Sequence, residues 1–145
     1  MERKEDTAIA GAIPKGGFAA LVPEIAVRDL GRAVGFWTGI LGFRAAYTRD
    51  GFAYLARPDG AQVMLGELGH TFADAAPGTP GLMLQITVRS LDPVIAAAQA
   101  EGVALHTPPG DVTRRTGDRD TTRREMRLRD PDGTLILLAE AGRTG

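Results

Sequence analysis

Residues 22–43, VPEIAVRDLGRAVGFWTGILGF, read as a strand, a capped helix and an exit turn in direct succession. Ile25 and Val27 alternate with Glu24 and Ala26, the period-2 pattern of a half-buried strand. Asp29 follows as an N-cap, its carboxylate able to accept a hydrogen bond from a free N–H of the first turn. Leu30, Ala33, Val34, Trp37, Ile40 and Leu41 then fall on one apolar stripe of an amphipathic helix. Gly42 ends it as a residue tolerant of the left-handed conformation. Working outward, Phe43 to Thr48 and Phe52 to Ala56 read as strands joined by the turn Arg49-Asp50-Gly51. Pro58-Asp59-Gly60 makes the next turn, and Ala61 to Glu67 a further strand. The order is βαβββ.

The same order restarts downstream. Val88-Arg89-Ser90-Leu91 echoes Val27-Arg28-Asp29-Leu30 at an offset of 61, and Leu91, Val94, Ile95 and Ala98 match Leu30, Ala33, Val34 and Trp37 at that offset. Ser90 takes the cap position. Pro131-Asp132-Gly133 repeats Pro58-Asp59-Gly60 at an offset of 73, ahead of a closing strand from Thr134 to Glu140. A repeated supersecondary unit is stronger evidence than either copy alone. The expected organisation is therefore a tail or partner-bound arm over residues 1–19, a first module over 20–68, a linker over 69–80 and a second module over 81–145. The second copy differs between Thr107 and Thr122, TPPGDVTRRTGDRDTT, which reads as a long polar loop before the strand Arg123 to Arg129. From Val112 to Arg129 there are seven Arg against Asp118, Asp120 and Glu125, a balance of +4. Such a loop is either a solvated, salt-bridged segment or a lid over a ligand.

Composition sets bounds on function. The 145 residues, 43% hydrophobic, suffice for a core. The chain contains no cysteine, which excludes disulfides and thiolate metal sites. A net charge of -1 argues against general polyanion or membrane affinity. No apolar run approaches the ~20 residues of a membrane span, and Met1 to Gly11 lacks an apolar leader core, so a soluble, cytoplasmic protein is expected. The Arg residues from 114 to 129 are interrupted by acids, a poor pattern for a nucleic-acid partner. His70 and His106 are far apart in sequence. There is no Gly-rich phosphate loop, nucleophile elbow or His-Glu-x-x-His pair.

The paired modules, with VRDLGRAVGFWTGILGF near the start and RLRDPDGTLILLAE at the end, resemble the glyoxalase, bleomycin-resistance and extradiol-dioxygenase (vicinal oxygen chelate) superfamily over about residues 20–140. The similarity is closest to the bleomycin-resistance branch, on the segment VP, four residues, RD, then FW and LGF. It implies an α+β fold of two tandem βαβββ modules, with curved mixed sheets around a concave cleft and the helices outside.

In the superfamily's enzymes four residues hold a metal, and the resemblance places those positions on Val22, Met64, Met83 and Leu137. None is imidazole or carboxylate, so no metal and no cofactor is expected. The histidines lie outside those positions. What is expected instead is a binding surface: strand parity sets Glu24, Met64, Met83, Gln85 and Leu137 together, the resemblance adds Tyr47, Phe52 and Tyr54 as aromatic walls, and Glu125 and Arg127 join them from the strand that follows the Arg-rich loop. Phe52 is expected to project into the groove, so that its removal weakens the ligand and leaves the melting temperature nearly unchanged. For Tyr54 a place in the core is expected somewhat more than a place in the groove wall. Two departures stand out: the indole that the drug binders carry before the last Arg-Glu pair has no counterpart near Arg124-Glu125, and the chain is nearly neutral where those proteins are acidic. The expectation is a homodimeric, metal-free protein that sequesters a planar or aromatic-bearing small molecule, an antibiotic, in a groove at the dimer interface. The alternative is an enzyme of the same fold, either with unusual metal ligands or with Glu24 or Glu125 as a base.

Overall fold

The computed structural model describes residues 10–70, 77, 81–141 and 143–144. The chain forms two compact units, Met1–Thr79 and Pro80–Gly145. Each is an α+β module in which one helix accompanies a mixed sheet.

In the first unit a two-residue strand β1 (Ala10–Gly11) precedes β2 (Glu24–Val27), α1 (Leu30–Gly39), β3 (Arg44–Arg49), β4 (Phe52–Ala56) and β5 (Gln62–Glu67). The spatial order is β1-β3-β4-β5-β2, with β2 parallel to β5 and the other pairs antiparallel. The expected alternation holds: Ile25, Val27, Val63, Leu65, Ala53 and Leu55 turn one way and are buried, as are Ala33, Phe36 and Trp37 of α1. Trp37 meets Phe43 edge to face with ring centroids 5.4 Å apart. Asp29 caps α1 as its residue type predicts, its Oδ1 accepting from the Arg32 N–H at 3.0 Å. At the other end the Arg57 guanidinium donates to the Leu41 carbonyl at 2.7 Å, a cation placed where the helix leaves its last carbonyls unpaired.

The second unit contains β6 (Met83–Val88), α2 (Asp92–Ala100), β7 (Leu105–Thr116), β8 (Arg119–Arg129), β9 (Leu135–Glu140) and a short β10 (Arg143–Thr144). Its order is β10-β8-β9-β6, with β7 also pairing β8 and β6 parallel to β9. Met126, Leu128, Ile136 and Leu138 are fully buried, along with Leu91 at the start of α2. The cap differs from expectation. Leu91 occupies the N-cap position, while the Ser90 hydroxyl accepts from the Asp92 N–H at 3.1 Å.

One tie recurs in both modules and has no local sequence signature. Glu67 Oε2 accepts from the Leu30 N–H at 2.8 Å, and Glu140 Oε2 accepts from the Leu91 N–H at 2.9 Å. The last strand of each module thus presents a carboxylate to the positive end of its helix. The four residues stand at the same offsets, 61 and 73, that relate the modules.

Two further expectations change. The polar loop over Thr107 to Thr122 is a hairpin instead: β7 and β8 pair from Leu105↔Leu128 to Thr116↔Arg119, closing on a two-residue turn with Gly117 at φ +67°. Gly-Asp is a hairpin-turn dipeptide, and the β-branched Val112, Thr113, Thr121 and Thr122 favour strands. Pro108-Pro109 obscured this, since proline cannot donate to a ladder; the register shifts between Thr107 and Gly110, where the two prolines lie. Of the expected tail or partner arm, residues 10–19 lie on their own module. Ala10 and Gly11 pair with Thr48 and Tyr47, and Ala12 N–H donates to the Ala46 carbonyl at 2.9 Å. Gly11 approaches so closely, at φ +101°, that a Cβ there would stand 2.1 Å from the Ala46 oxygen. Residues 1–9 and most of the linker lie outside the described residues.

Candidate functional site

The face of the first sheet turned away from the α1 side brings four of the expected residues into one row. Tyr47 pairs with Tyr54, Tyr54 with Met64 and Met64 with Glu24, across β3, β4, β5 and β2. Residues directly opposite one another on neighbouring strands share a face. The Tyr47 and Tyr54 rings are stacked, with centroids 5.1 Å apart and planes 15° apart. Phe18 meets both edge-on, at 5.3 Å from Tyr54 and 6.5 Å from Tyr47. Its backbone is fixed by Gln62, whose Oε1 accepts from the Ala19 N–H and the Tyr54 hydroxyl and whose Nε2 donates to the Gly17 carbonyl. Burial, and next the neighbouring Tyr47, push the Tyr54 phenol above its ordinary pKa. Phe18 and Gln62 were absent from the sequence expectation. Strand parity alone would have put Gln62 beside Met64, but nothing local marks Phe18.

Phe52 departs from its expected role as an exposed wall. It is 3% exposed, the Arg49 guanidinium lies 3.8 Å from its ring centre, and Tyr47 stands 5.9 Å away at a tilt. Its alternation is as expected. Its depth is set by Arg49, which a period-2 pattern does not reveal. Tyr54, also buried, is both core and part of the stacked pair.

At the end of the row Glu24 is half-buried, and its Oε2 is out of solvent with no hydrogen-bond partner. A polar atom left in that state is costly unless something else satisfies it.

The second sheet holds a corresponding row: Thr107, Arg127, Leu137 and Gln85 pair in turn across β7, β8, β9 and β6. Leu137 is buried, and Gln85 and Met83 are exposed. One step along β8, Glu125 is 5% exposed and is gripped by Arg114 and by Arg123, the latter at 2.8 Å. A cleft of about 260 Å³ opens here, lined by Thr107, Asp111, Arg114, Glu125 and Arg127 among others. The Arg114 hydrogen bonds, and then those of Arg123, hold the Glu125 carboxyl below its ordinary 4.5 against the opposing push of burial. A carboxylate so engaged is a poor base, which removes Glu125 from the catalytic alternative.

The pKa shift has a consequence for acid stability. A depressed folded-state pKa stabilises the protein above the unfolded value, and that contribution disappears as pH falls through the folded one. Glu125→Gln is therefore expected to lower stability at pH 7 by about 1–3 kcal/mol, the worth of hydrogen bonds to charged groups. The gap from wild type should close below pH 4.5. Thermal melts from pH 7 to 3 check this; a gap independent of pH would mean that the carboxylate's charge contributes nothing.

At the four positions to which the resemblance carries the enzymes' metal ligands, the chain has a valine, two methionines and a leucine: Val22, Met64, Met83 and Leu137. This donor set does not fit a divalent metal site of nitrogen and oxygen ligands. Among the described residues no three His, Asp or Glu converge to hold a metal ion. His106 is exposed with Nδ1 3.0 Å from the Thr107 hydroxyl, and His70 lies 3.7 Å from Glu67.

Two consecutive βαβββ modules of this topology define the class of paired-module α+β proteins that the sequence resembled. Residues 18–138 match the family model of the Glyoxalase/Bleomycin resistance protein/Dioxygenase superfamily, and the chain belongs to that superfamily. Among solved structures it is similar to a virulence protein from Salmonella typhimurium (21% identity, 84% of this chain and 95% of that one, TM-score 0.65). It is also similar to a glyoxylase/bleomycin resistance protein/dioxygenase domain from Frankia sp. EAN1pec (24%, 86% and 91%, TM-score 0.64). A third likeness is to the fosfomycin resistance protein FosX from Mesorhizobium loti (15%, 85% and 91%, TM-score 0.60). At these identities the likeness is one of fold. No curated protein matches the sequence. Among the described residues no helix is long and apolar enough to cross a membrane.

Proposed function

We propose that this protein binds a planar or aromatic-bearing small molecule without a metal and holds it unaltered, in the manner of a bleomycin-resistance protein, as a cytoplasmic homodimer. The observation that carries this reading is the stacked Tyr47–Tyr54 pair, with Phe18 against its edge, on the face away from the helix. A flat ligand ring added to such a pair gains about 0.5–1.5 kcal/mol per ring contact beyond the area it buries. The apolar side chains at all four mapped metal places support binding over metal-assisted chemistry. That structural neighbours include a fosfomycin resistance protein makes an antibiotic the first ligand class to try. On the first module Glu24 and Met64 supply the remaining contacts of the proposed surface, with Phe52 packed beside Tyr47 on the same face; on the second module Met83, Gln85, Leu137 and Arg127, with Glu125 one step along β8, are proposed as a binding face of their own. The dimer would complete the groove.

Native mass spectrometry against a panel of aromatic antibiotics tests this. The expected spectrum is that of a two-chain species carrying the intact mass of a ligand and no retained metal. A converted ligand mass, or about one metal per chain, would favour the enzymatic alternative.

A further inference from the structure

We infer that residues 12–21 are a displaceable strap that closes the aromatic face of the first module from its own chain, with Phe18 holding the place that a ligand ring takes. This rests on the reading of that face as the binding surface and adds the device that controls access to it. The topology requires a crossing. β1 and β2 lie at opposite edges of the five-stranded sheet, so the chain between them has to pass over β3, β4 and β5. It passes on the side away from α1: Phe18 meets Tyr47 and Tyr54, and Gln62, which shares their face, holds Gly17 and Ala19. The strand spacings to be crossed add up to about 19 Å, whereas residues 12–23 reach about 40 Å when extended. That slack lets the strap lift without unpairing β1 or β2.

The strap is lightly held. Residues 12–23 include no helix or strand, and one side chain, Gln62, fastens their middle through both ends of its amide. Ile13, Phe18 and Leu21 are each more than half exposed, so docking buries little of their apolar surface. Segments of this kind open at the low end of local stabilities. Gly16 and Gly17, both at positive φ, turn the chain just ahead of Phe18. Tyr54, by contrast, is 2% exposed although it faces away from α1. Its hydroxyl and the strap's Ala19 N–H both donate to Gln62 Oε1, which ties the ring site and its cover to one atom. A planar ligand reaching the Tyr47–Tyr54 stack therefore competes with Phe18, and its apparent affinity is reduced by the fraction of molecules in which the strap is open.

Two measurements on the full chain test this. In hydrogen exchange of the free protein, the Ala12 and Ala19 amides, which bond to Ala46 and Gln62, are expected to exchange at least about a hundredfold faster than the hydrogen-bonded amides of β4 in the middle of the sheet. Exchange as slow as in β4 would mean that the strap opens only when the module unfolds, and would overturn the inference. In fluorescence titration with acridine, a planar ring uncharged at neutral pH, Phe18→Ala is expected to bind at least about fivefold more tightly than wild type, because the competing ring contacts are gone. Phe18 is more than half exposed, so the variant is expected to fold. Acridine binding to wild type and equally or more weakly to the variant would make Phe18 a wall of the site instead of its cover; the inference would fall and the aromatic site would stand. Acridine bound by neither protein, with the strap amides exchanging rapidly, would overturn the ring-site reading and the inference with it.

Discussion

Phe52→Ala is expected to lower the unfolding free energy by about 3–5 kcal/mol, the range for an aromatic removed from a packed interior. The ring is 3% exposed, and three features of its surroundings put the expected loss at the full range. Its ladder partner on β5 is Gly66, which has no side chain to move into the space. Its partner on β3 is Arg49, whose guanidinium rests on the ring at 3.8 Å and would lose a cation–π contact of about 0.5–1 kcal/mol. Tyr47, 5.9 Å away, would lose its lateral support. Urea unfolding with an unchanged slope reads the loss directly. A variant of nearly wild-type stability that fails to bind ligand would show instead that Phe52 faces the groove.

Tyr47→Ala is expected to do the converse. Its ring is half-buried and lies on the edge-ward side of Tyr54, with only the short β1 beyond it in the strand order. Losing a stacked anchor of this kind costs a bound ligand about 1–3 kcal/mol, roughly five- to 150-fold in affinity. Tyr47→Phe should retain most of the affinity, because the ring and not its hydroxyl makes the stack. Calorimetric titration with a ligand selected by mass spectrometry measures all three proteins. Weakening by the phenylalanine variant as large as by alanine would reassign Tyr47 from stacking to hydrogen bonding.

Much of this fold was legible because its determinants are local. The stripe from Leu30 to Leu41, the Asp29 cap and the two Pro-Asp-Gly turns each announce themselves within a dozen residues, and their recurrence at fixed offsets gives the two modules. The β7–β8 hairpin was not read because Thr, Arg and Asp on both faces of an exposed ribbon leave no apolar alternation, and Pro108-Pro109 resembles a loop. The docking of residues 10–19 depends on the Gln62 amide, and the gripping of Glu125 on Arg114 opposite Thr121 across the hairpin. Both require a register that pattern cannot supply. The row from Tyr47 to Glu24 lies between these cases. Strand parity grouped Glu24 and Met64, but the ladder from Tyr47 through Tyr54 to both of them, and the unpaired Glu24 oxygen at its end, emerge only in three dimensions.

The most direct test of the account is where a ligand lands. In a titration of isotopically labelled protein with a ligand selected by mass spectrometry, the account predicts chemical-shift changes concentrated at Tyr47, Tyr54, Met64 and Glu24, with the interior of α1 from Ala33 to Trp37 nearly unmoved. Changes confined to the β7–β8 ribbon, with the Tyr47–Glu24 row silent, would contradict it.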